Sequence, residues 1–471
     1  MASKNLDETV GSKDWKNRFV GIERNFPVLR RSRVMLTRRV WQPRIVFWAG
    51  AIGIGLISVL FAHLADAAQS LFHHVSDGQG WRSALPLIVT PAGFVLCAWM
   101  AHSWFPGSQG SGIPQAIAAR VLRDDADRSH ILSLKLVVGK ILLTVVGLAS
   151  GASIGREGPT VQVGASLMLQ AARWGGMAHA RGLILAGSAA GIAAAFNTPL
   201  AGIVFAIEEM GRSYQSRTNG IVLSAVILAG LAAIGLVGNY TYFGVTDARV
   251  GSTTEWILVG ACGIVGGGLG AGFSWAALRS IRRLRRWLQP DPLRRTLIFA
   301  GICGLAVAGI GLISGGQTFG TGYDQARSAI EGNPLPWFFF AEKLAAGLIS
   351  MVSGIPGGIF APSLSVGAGI GSTLGLIFGA DIGVAALLGM AGYFAGVVQA
   401  PMTAFVIILE MTGNHDNVIP LMCASMLGYG TARMISREPL YHAMSRLIIA
   451  DGLRRKRAEA RPATEAGSDA A

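Results

Sequence analysis

Charge is what this sequence has least of: Asp, Glu, Lys and Arg make up 14% of its 471 residues. Water-soluble domains carry about 25%, so an ordinary soluble fold is excluded. The deficit is concentrated in runs with no charged residue at all: 45–65, 83–119, 218–246, 256–278, 296–323, 344–380 and 382–409. One spanning helix needs about 20 apolar residues, which makes the chain an all-α polytopic membrane protein. Cysteine is scarce too. Cys97, Cys262, Cys303 and Cys423 stand singly in apolar runs without a CxxC pair, so no metal or redox centre follows from them. A G-x-x-x-x-G-K-[ST] loop is missing, which argues against ATP-driven transport. The histidines form no recognisable motif with a serine, so an intramembrane hydrolase would lack its base. The chain reads as a non-enzyme with no cofactor.

What charge there is carries one sign in excess, a formal net of +14. Basic residues crowd the amino-terminal segment (Arg30, Arg31, Arg33, Arg38, Arg39, Arg44), the stretch 279–295 and the carboxyl tail (Arg454, Arg455, Lys456, Arg457). Each cluster abuts an apolar run. That is the positive-inside pattern, and it places all three on the cytoplasmic side against anionic lipid rather than nucleic acid. No signal peptide is recognisable, and both termini are expected in the cytoplasm.

An internal repeat is visible by eye. SGASIGREGPTVQVGAS (150–166) lies over SGIPGGIFAPSLSVGAG (353–369), with Ser150, Gly151, Gly155, Pro159 and Gly164 falling on Ser353, Gly354, Gly358, Pro362 and Gly367. Further on, NTPLAGIVFAIEEM (197–210) lies over QAPMTAFVIILEM (399–411), matching Pro199 to Pro401 and Glu208 to Glu410. The chain therefore divides into a basic segment 1–44, a first transmembrane repeat 45–248, a second repeat 254–445 with a basic cytoplasmic loop at 279–295, and a tail 446–471. Duplicated halves are common in secondary transporters, whose sites lie near the membrane midplane among broken helices. Parallel or inverted relation of the halves is not readable from the pattern alone.

Three stretches share a grammar of glycines followed by proline: GSGIP (110–114), GREGP (155–159) and GIFAP (358–362). Proline fits the first helical turn, and Ser111 suits an N-cap. Exposed N–H groups at a helix start attract anions, but in hydrocarbon they survive only when buried in protein or lining a cavity. Converging starts would cage a small anion without a full positive charge. Glu157 occupies such a start where the repeat partner is apolar, Ile359 or Phe360. A carboxylate there can take the anion's place and leave it on protonation. Pairing with Arg156 is disfavoured because adjacent helical residues point about 100° apart.

GSGIPQ (110–115), GREGPTVQVG (155–164), AFNTPLAGIVFAIEEM (195–210), GGIFAP (357–362) and EPLYHA (438–443) resemble, in order and spacing, the signatures of the CLC family of chloride channels and chloride/proton antiporters. The resemblance covers about residues 45–445. It implies two inverted-topology repeats of broken and tilted helices, and a homodimer with one anion pathway per subunit. Residue by residue, it implies that Ser111 and Tyr441 contact the anion by their hydroxyls, and Ile359 and Phe360 by their backbone N–H groups. Glu157 matches the gating glutamate, which takes up protons from outside, and Glu209 the internal proton-transfer glutamate that marks antiporters. Lys140 matches a family lysine, expected to give electrostatic support without touching the anion. Glu208, shared with Glu410 across the repeat, reads as architectural, while Glu209, opposed by Met411, reads as functional. Gln115 stands where many relatives have an acidic residue. The serine of GSGIP implies chloride over nitrate, and the retained serine and tyrosine depart from fluoride exporters.

Chloride/proton antiport across a prokaryotic plasma membrane is thus the expected function, with chloride and protons as substrates and the bilayer as the surrounding partner. A passive chloride channel on the same scaffold is the alternative.

Overall fold

The computed structural model describes residues 38–459 apart from 77–79, 178–179, 212–215, 239, 247 and 289–290. In the first half come α1 (Arg38–Ser76), α2 (Pro86–Ser103), α3 (Ile113–Val121), α4 (Asp125–Ser129), α5 (Leu134–Ala149), α6 (Glu157–Trp174) and α7 (Ala180–Phe196). They are followed by α8 (Pro199–Phe205), which runs into a π-helical segment Ala206–Gly211, and by α9 (Ser216–Val237). In the second half come α10 (Thr253–Leu288), α11 (Pro292–Ile313), α12 (Tyr323–Ile330), α13 (Phe339–Val352), α14 (Phe360–Phe378), α15 (Ile382–Val398), α16 (Pro401–Thr412) and α17 (Val418–Ile435). A last helix, α18 (Leu440–Glu459), stands outside the repeat.

Eight helical segments among the described residues are long and apolar enough to cross a membrane. Others are not. α3 has nine residues and α12 eight, or about 14 and 12 Å at 1.5 Å per residue, too short to cross a bilayer core about 30 Å thick. Helix starts of this kind need protein around them, and the glycine-proline stretches lie where the chain supplies it.

The halves grip each other reciprocally. Glu410, near the end of α16, accepts from the N–H groups of Leu200 (3.0 Å) and Ala201 (2.8 Å) at the start of α8. Glu208, in the segment that continues α8, accepts from Met402 (3.0 Å) and Thr403 (2.6 Å) at the start of α16. Each carboxylate thereby caps the other half's helix, satisfying donors that have no partner within it. Such exchange is what a pseudo-two-fold axis between repeats produces. Asn197 and Gln399, just before α8 and α16, are the non-glycine residues with positive φ among those described, 56° and 58°. That conformation is rare outside glycine, yet both halves keep it, because it turns the chain from α7 into α8 and from α15 into α16. Glu208→Ala or Glu410→Ala would orphan two N–H groups. The expected cost is about 1–3 kcal/mol each, read as a lowered unfolding temperature in detergent. Glu208→Ala and Glu410→Ala should weaken the protein alike.

Glycines set the closeness of the helix pairs. A Cβ built on Gly164 of α6 would lie 2.2 Å from the Gly187 carbonyl oxygen of α7. One on Gly389 of α15 would lie 2.3 Å from the Gly367 oxygen of α14. Small residues that let backbones approach are how helices associate without a hydrophobic drive.

Three boundaries differ from the sequence expectation. The stretch 279–295 is mostly helix, because α10 continues to Leu288 and α11 resumes at Pro292. Arginines at a helix C-terminus complement its dipole, and Asp291 caps α11 by accepting from Arg294 N. The first helix begins at Arg38, inside the expected amino-terminal segment, and α18 runs through the expected boundary at 445 to Glu459. Residues 1–37 and 460–471, which hold the rest of the expected tails, lie outside the described residues.

Candidate functional site

The three glycine-proline stretches meet. Gly155 and Gly358 exchange two backbone hydrogen bonds, each 2.7 Å. Gly110 N–H donates to the Ile355 carbonyl (3.3 Å), and Gly357 N–H to the Gly110 carbonyl (3.2 Å). Loops from both halves are thus joined, and α3, α6 and α14 set out from the join. Gly158 is closely enclosed: a Cβ there would lie 2.5 Å from Ser111 Oγ, 2.9 Å from Ser111 O and 3.2 Å from Gly358 Cα.

The structure brings the expected anion ligands together at this point. Ser111, Phe360 and Tyr441 are buried, and the rings of Phe360 and Tyr441 stand 6.0 Å apart. The hydroxyls of Ser111 and Tyr441 face each other without closing a well-formed hydrogen bond. Ile359 is the N-cap of α14 and Phe360 its first residue, so the N–H groups of both belong to the donors that no helical carbonyl reaches. Phe360 is held by Phe196, Phe205 and Phe394, with centroids 6.4, 6.1 and 4.8 Å away. Buried hydroxyls normally find partners. Two that do not, aimed at one spot beside free N–H groups, suit a small anion.

Ser111 does not cap α3, contrary to the sequence expectation. Gly112 takes that place with φ of 100°, a backbone conformation that favours glycine. Its N–H is satisfied by Gln115 Oε1 (3.0 Å), whose Nε2 in turn donates to the Gln109 carbonyl (2.6 Å). Turning the chain here leaves the serine hydroxyl uncommitted. Gln115 is therefore a structural clamp, a role an acidic residue could fill only in part, since a carboxylate has no N–H to give Gln109.

Lys140 is fully buried and donates to the carbonyls of Ser108 (2.6 Å) and Gly110 (2.7 Å). It fixes the loop that carries Ser111 by hydrogen bonds, where the sequence reading expected electrostatic support. Lys343 was not singled out in the sequence. It donates to Thr318 O (2.9 Å) and Gly320 O (2.8 Å) before α12. The repeat offset of 203, read from Lys140 to Lys343 (343 − 140), would have found it. At an offset of 210, GTGYDQ (320–325) falls against GSGIPQ (110–115).

Glu157 is the first residue of α6 and is fully buried. Its carboxylate faces the N–H of Ala361 without closing a well-formed hydrogen bond. Arg156 turns elsewhere, to Asp66 Oδ1 (2.6 Å) and Ala62 O (2.7 Å). The glutamate is thus left uncommitted beside the anion ligands. Arg156 and Asp66 line a cavity of about 420 Å³ together with Tyr240 and Tyr242. A second cavity, about 670 Å³, reaches Gly110, Pro114 and Gln115 from another direction and is bordered by Met444, Arg285 and Arg455. Glu157, Ser111 and Tyr441 line neither cavity and are exposed by 0, 1 and 0%, so they are sealed from both.

Glu209 lies in the π-helical segment after α8, and is 1% exposed. Its repeat partner Met411 sits in regular α-helix. The extra residue per turn separates the roles of two adjacent glutamates: Glu208 reaches the start of α16, and Glu209 turns inward. Single π turns often mark functional positions. Tyr441 has both Glu157 and Glu209 within electrostatic reach.

The chain matches the family model described as voltage gated chloride channel over residues 93–433. Among curated proteins it is similar to the H(+)/Cl(-) exchange transporter ClcA of Salmonella schwarzengrund strain CVM19633, 29% identical over 436 residues, covering 84% of this chain and 87% of the relative. Among solved structures it is similar to a slow cyanobacterial Cl-/H+ antiporter, with a TM-score of 0.73 and 24% identity, covering 87% of this chain and 98% of that one. A CLC-type fluoride/proton antiporter aligns with a TM-score of 0.72 and 22% identity, covering 87% and 99%.

Proposed function

The chain belongs to the voltage gated chloride channel family, and from that membership we propose that it exchanges chloride for protons as a secondary antiporter. The observation that carries this reading is the placement of two buried carboxylates, Glu157 and Glu209, around one anion site. A passive pathway needs only the site; an exchanger also needs groups that carry protons through a region closed to water. The ClcA relative is named an exchanger of the same two ions, which supports it.

Chloride occupies the point faced by the hydroxyls of Ser111 and Tyr441 and the N–H groups of Ile359 and Phe360. Neutral donors bind an anion without the deep well that a lysine ammonium would make, so release stays fast. The Glu157 carboxylate competes for the same donors. Protonated, it no longer attracts them and swings towards the 420 Å³ cavity, admitting chloride; deprotonated, it returns. Glu209 exchanges its proton with the opposite side. Arg285 and Arg455, at the rim of the larger cavity, make that side cytoplasmic by the positive-inside rule, which gives the outer side to Glu157. The functional unit is a homodimer with one such pathway in each subunit, in a plasma membrane.

Proton movement into liposomes containing the purified protein, driven by a chloride gradient alone, tests the reading. Uphill proton flux that falls at least about 100-fold in Glu209→Gln, as for loss of an acid–base group, while chloride flux persists, is the expected result. Chloride flux without proton movement in the wild type would leave a passive channel and reduce Glu209 to a buried structural carboxylate.

A further inference from the structure

The π-helical segment ends with carbonyls that no helical N–H reaches, and two side chains from other elements meet them. Arg120 of α3 donates to the Met210 carbonyl. His442 of α18 places Nε2 2.9 Å from the Glu209 carbonyl oxygen. The same nitrogen stands 3.7 Å from the Glu209 carboxylate oxygen Oε1. These two contacts differ in kind. Arginine stays protonated at any physiological pH, so Arg120 is a fixed clamp, and Arg181, the other cation near it, keeps its charge as well. Histidine can take up and release a proton near neutral pH.

Position distinguishes His442 further. Its side chain is 18% exposed, whereas that of Glu209 is 1% exposed. The glutamate is sealed, whereas the imidazole beside it reaches the surface of the chain in part. His442 also follows Tyr441 directly on α18, so one turn of helix presents a hydroxyl to the anion site and an imidazole to the proton site.

We propose that His442 is the proton relay between water and Glu209. This rests on the exchanger reading above and names the group through which that reading's inner proton passes. In the resting arrangement Nε2–H donates to the Glu209 carbonyl. A proton from water binds Nδ1 and gives the imidazolium. The Nε2–H bond then breaks as an O–H bond forms at Oε1, 3.7 Å away in this arrangement and within reach of a small ring tilt. Glu209 becomes the neutral acid, and the ring is left as the neutral Nδ1–H tautomer. Exchange of ring protons with water restores the first tautomer. Run backwards, the same steps discharge Glu209. The carbonyl bond holds the ring beside Oε1 until Nε2 gives up its hydrogen, and forms again when Nε2 is reprotonated.

His442→Gln is the informative change, because the Gln amide can still donate to the Glu209 carbonyl but cannot carry a proton. In liposomes containing the full chain, chloride-driven proton flux should fall at least tenfold relative to wild type, while chloride flux stays within about twofold. In a Glu209→Gln background, His442→Gln should add nothing, since two groups in one relay are not additive. Should the Gln variant not be recovered intact, His442→Asn is read in the same way. Wild-type coupling ratio and rate in the variant would overturn the relay while leaving the exchanger reading in place. Equal loss of both fluxes would overturn it as well, and make His442 a helix clamp like Arg120. An uncoupled wild type would instead sink the exchanger reading, and the relay with it.

Discussion

Glu157→Gln is expected to abolish chloride-driven proton flux, by at least about 100-fold, while leaving chloride flux within about tenfold of wild type. Gln keeps the size of the side chain and its place at the start of α6, but it neither titrates nor competes as an anion for the donors around Ser111, Phe360 and Tyr441. In the wild type, that carboxylate has no committed partner. Arg156, its neighbour in sequence, is bound to Asp66 and Ala62, so removing the glutamate's charge breaks no ion pair and leaves the surrounding packing intact. A purely structural glutamate would behave otherwise: its amide would lower the yield of folded protein and affect both fluxes together. Parallel recordings of chloride efflux and proton uptake separate these outcomes.

Gly158→Ala should do the reverse and remove both fluxes together. Its Cβ would meet the Ser111 hydroxyl and carbonyl and the Gly358 Cα at once. The hydroxyl could rotate away. The carbonyl and the Cα are backbone, fixed by the Gly155–Gly358 hydrogen bonds and by Lys140, so something at the join must move. Overpacking costs about 1–3 kcal/mol, which is about 5- to 150-fold in anion affinity. Chloride binding by calorimetry should weaken accordingly, and proton flux should fall in proportion because it is coupled. Gly268→Ala, on α10 where a Cβ meets nothing within 4 Å, is the control and should leave both fluxes unchanged. Normal chloride binding in Gly158→Ala would mean that the anion does not sit where the three loops meet.

These two substitutions lie one residue apart, yet only the second depends on information absent from the sequence. GREGP shows that a glutamate stands at a helix start, because proline and glycine constrain the local backbone wherever they occur. The closeness of Gly158 to Ser111 depends on where a loop some fifty residues away returns. The same divide runs through the glutamate pair. The repeat separates shared Glu208 from unshared Glu209, which is enough to expect architecture of one and chemistry of the other. That Glu208 and Glu410 exchange caps across the halves, and that a π turn aims Glu209 inward, became visible only in three dimensions. Lys343 was within reach of the repeat arithmetic but has no motif of its own. His442 had none either: a histidine beside Tyr441 signals nothing until a carbonyl and a carboxylate from another segment are set against it.

By itself, then, the sequence determined the class of protein, its duplication and the helix starts. Those features follow from hydrophobicity, periodicity and the backbone preferences of glycine and proline, all of which act over a few neighbouring residues. It misjudged the ends of helices, where arginines continue α10 beyond its apolar stretch, and the cap of α3, where Gly112 rather than Ser111 makes the turn. The tertiary structure decided which hydroxyls are left without partners, which carboxylates are capped across the halves, and which side chain is set against Glu209. Each depends on groups far apart in the chain arriving within hydrogen-bond distance, and no local preference encodes that distance.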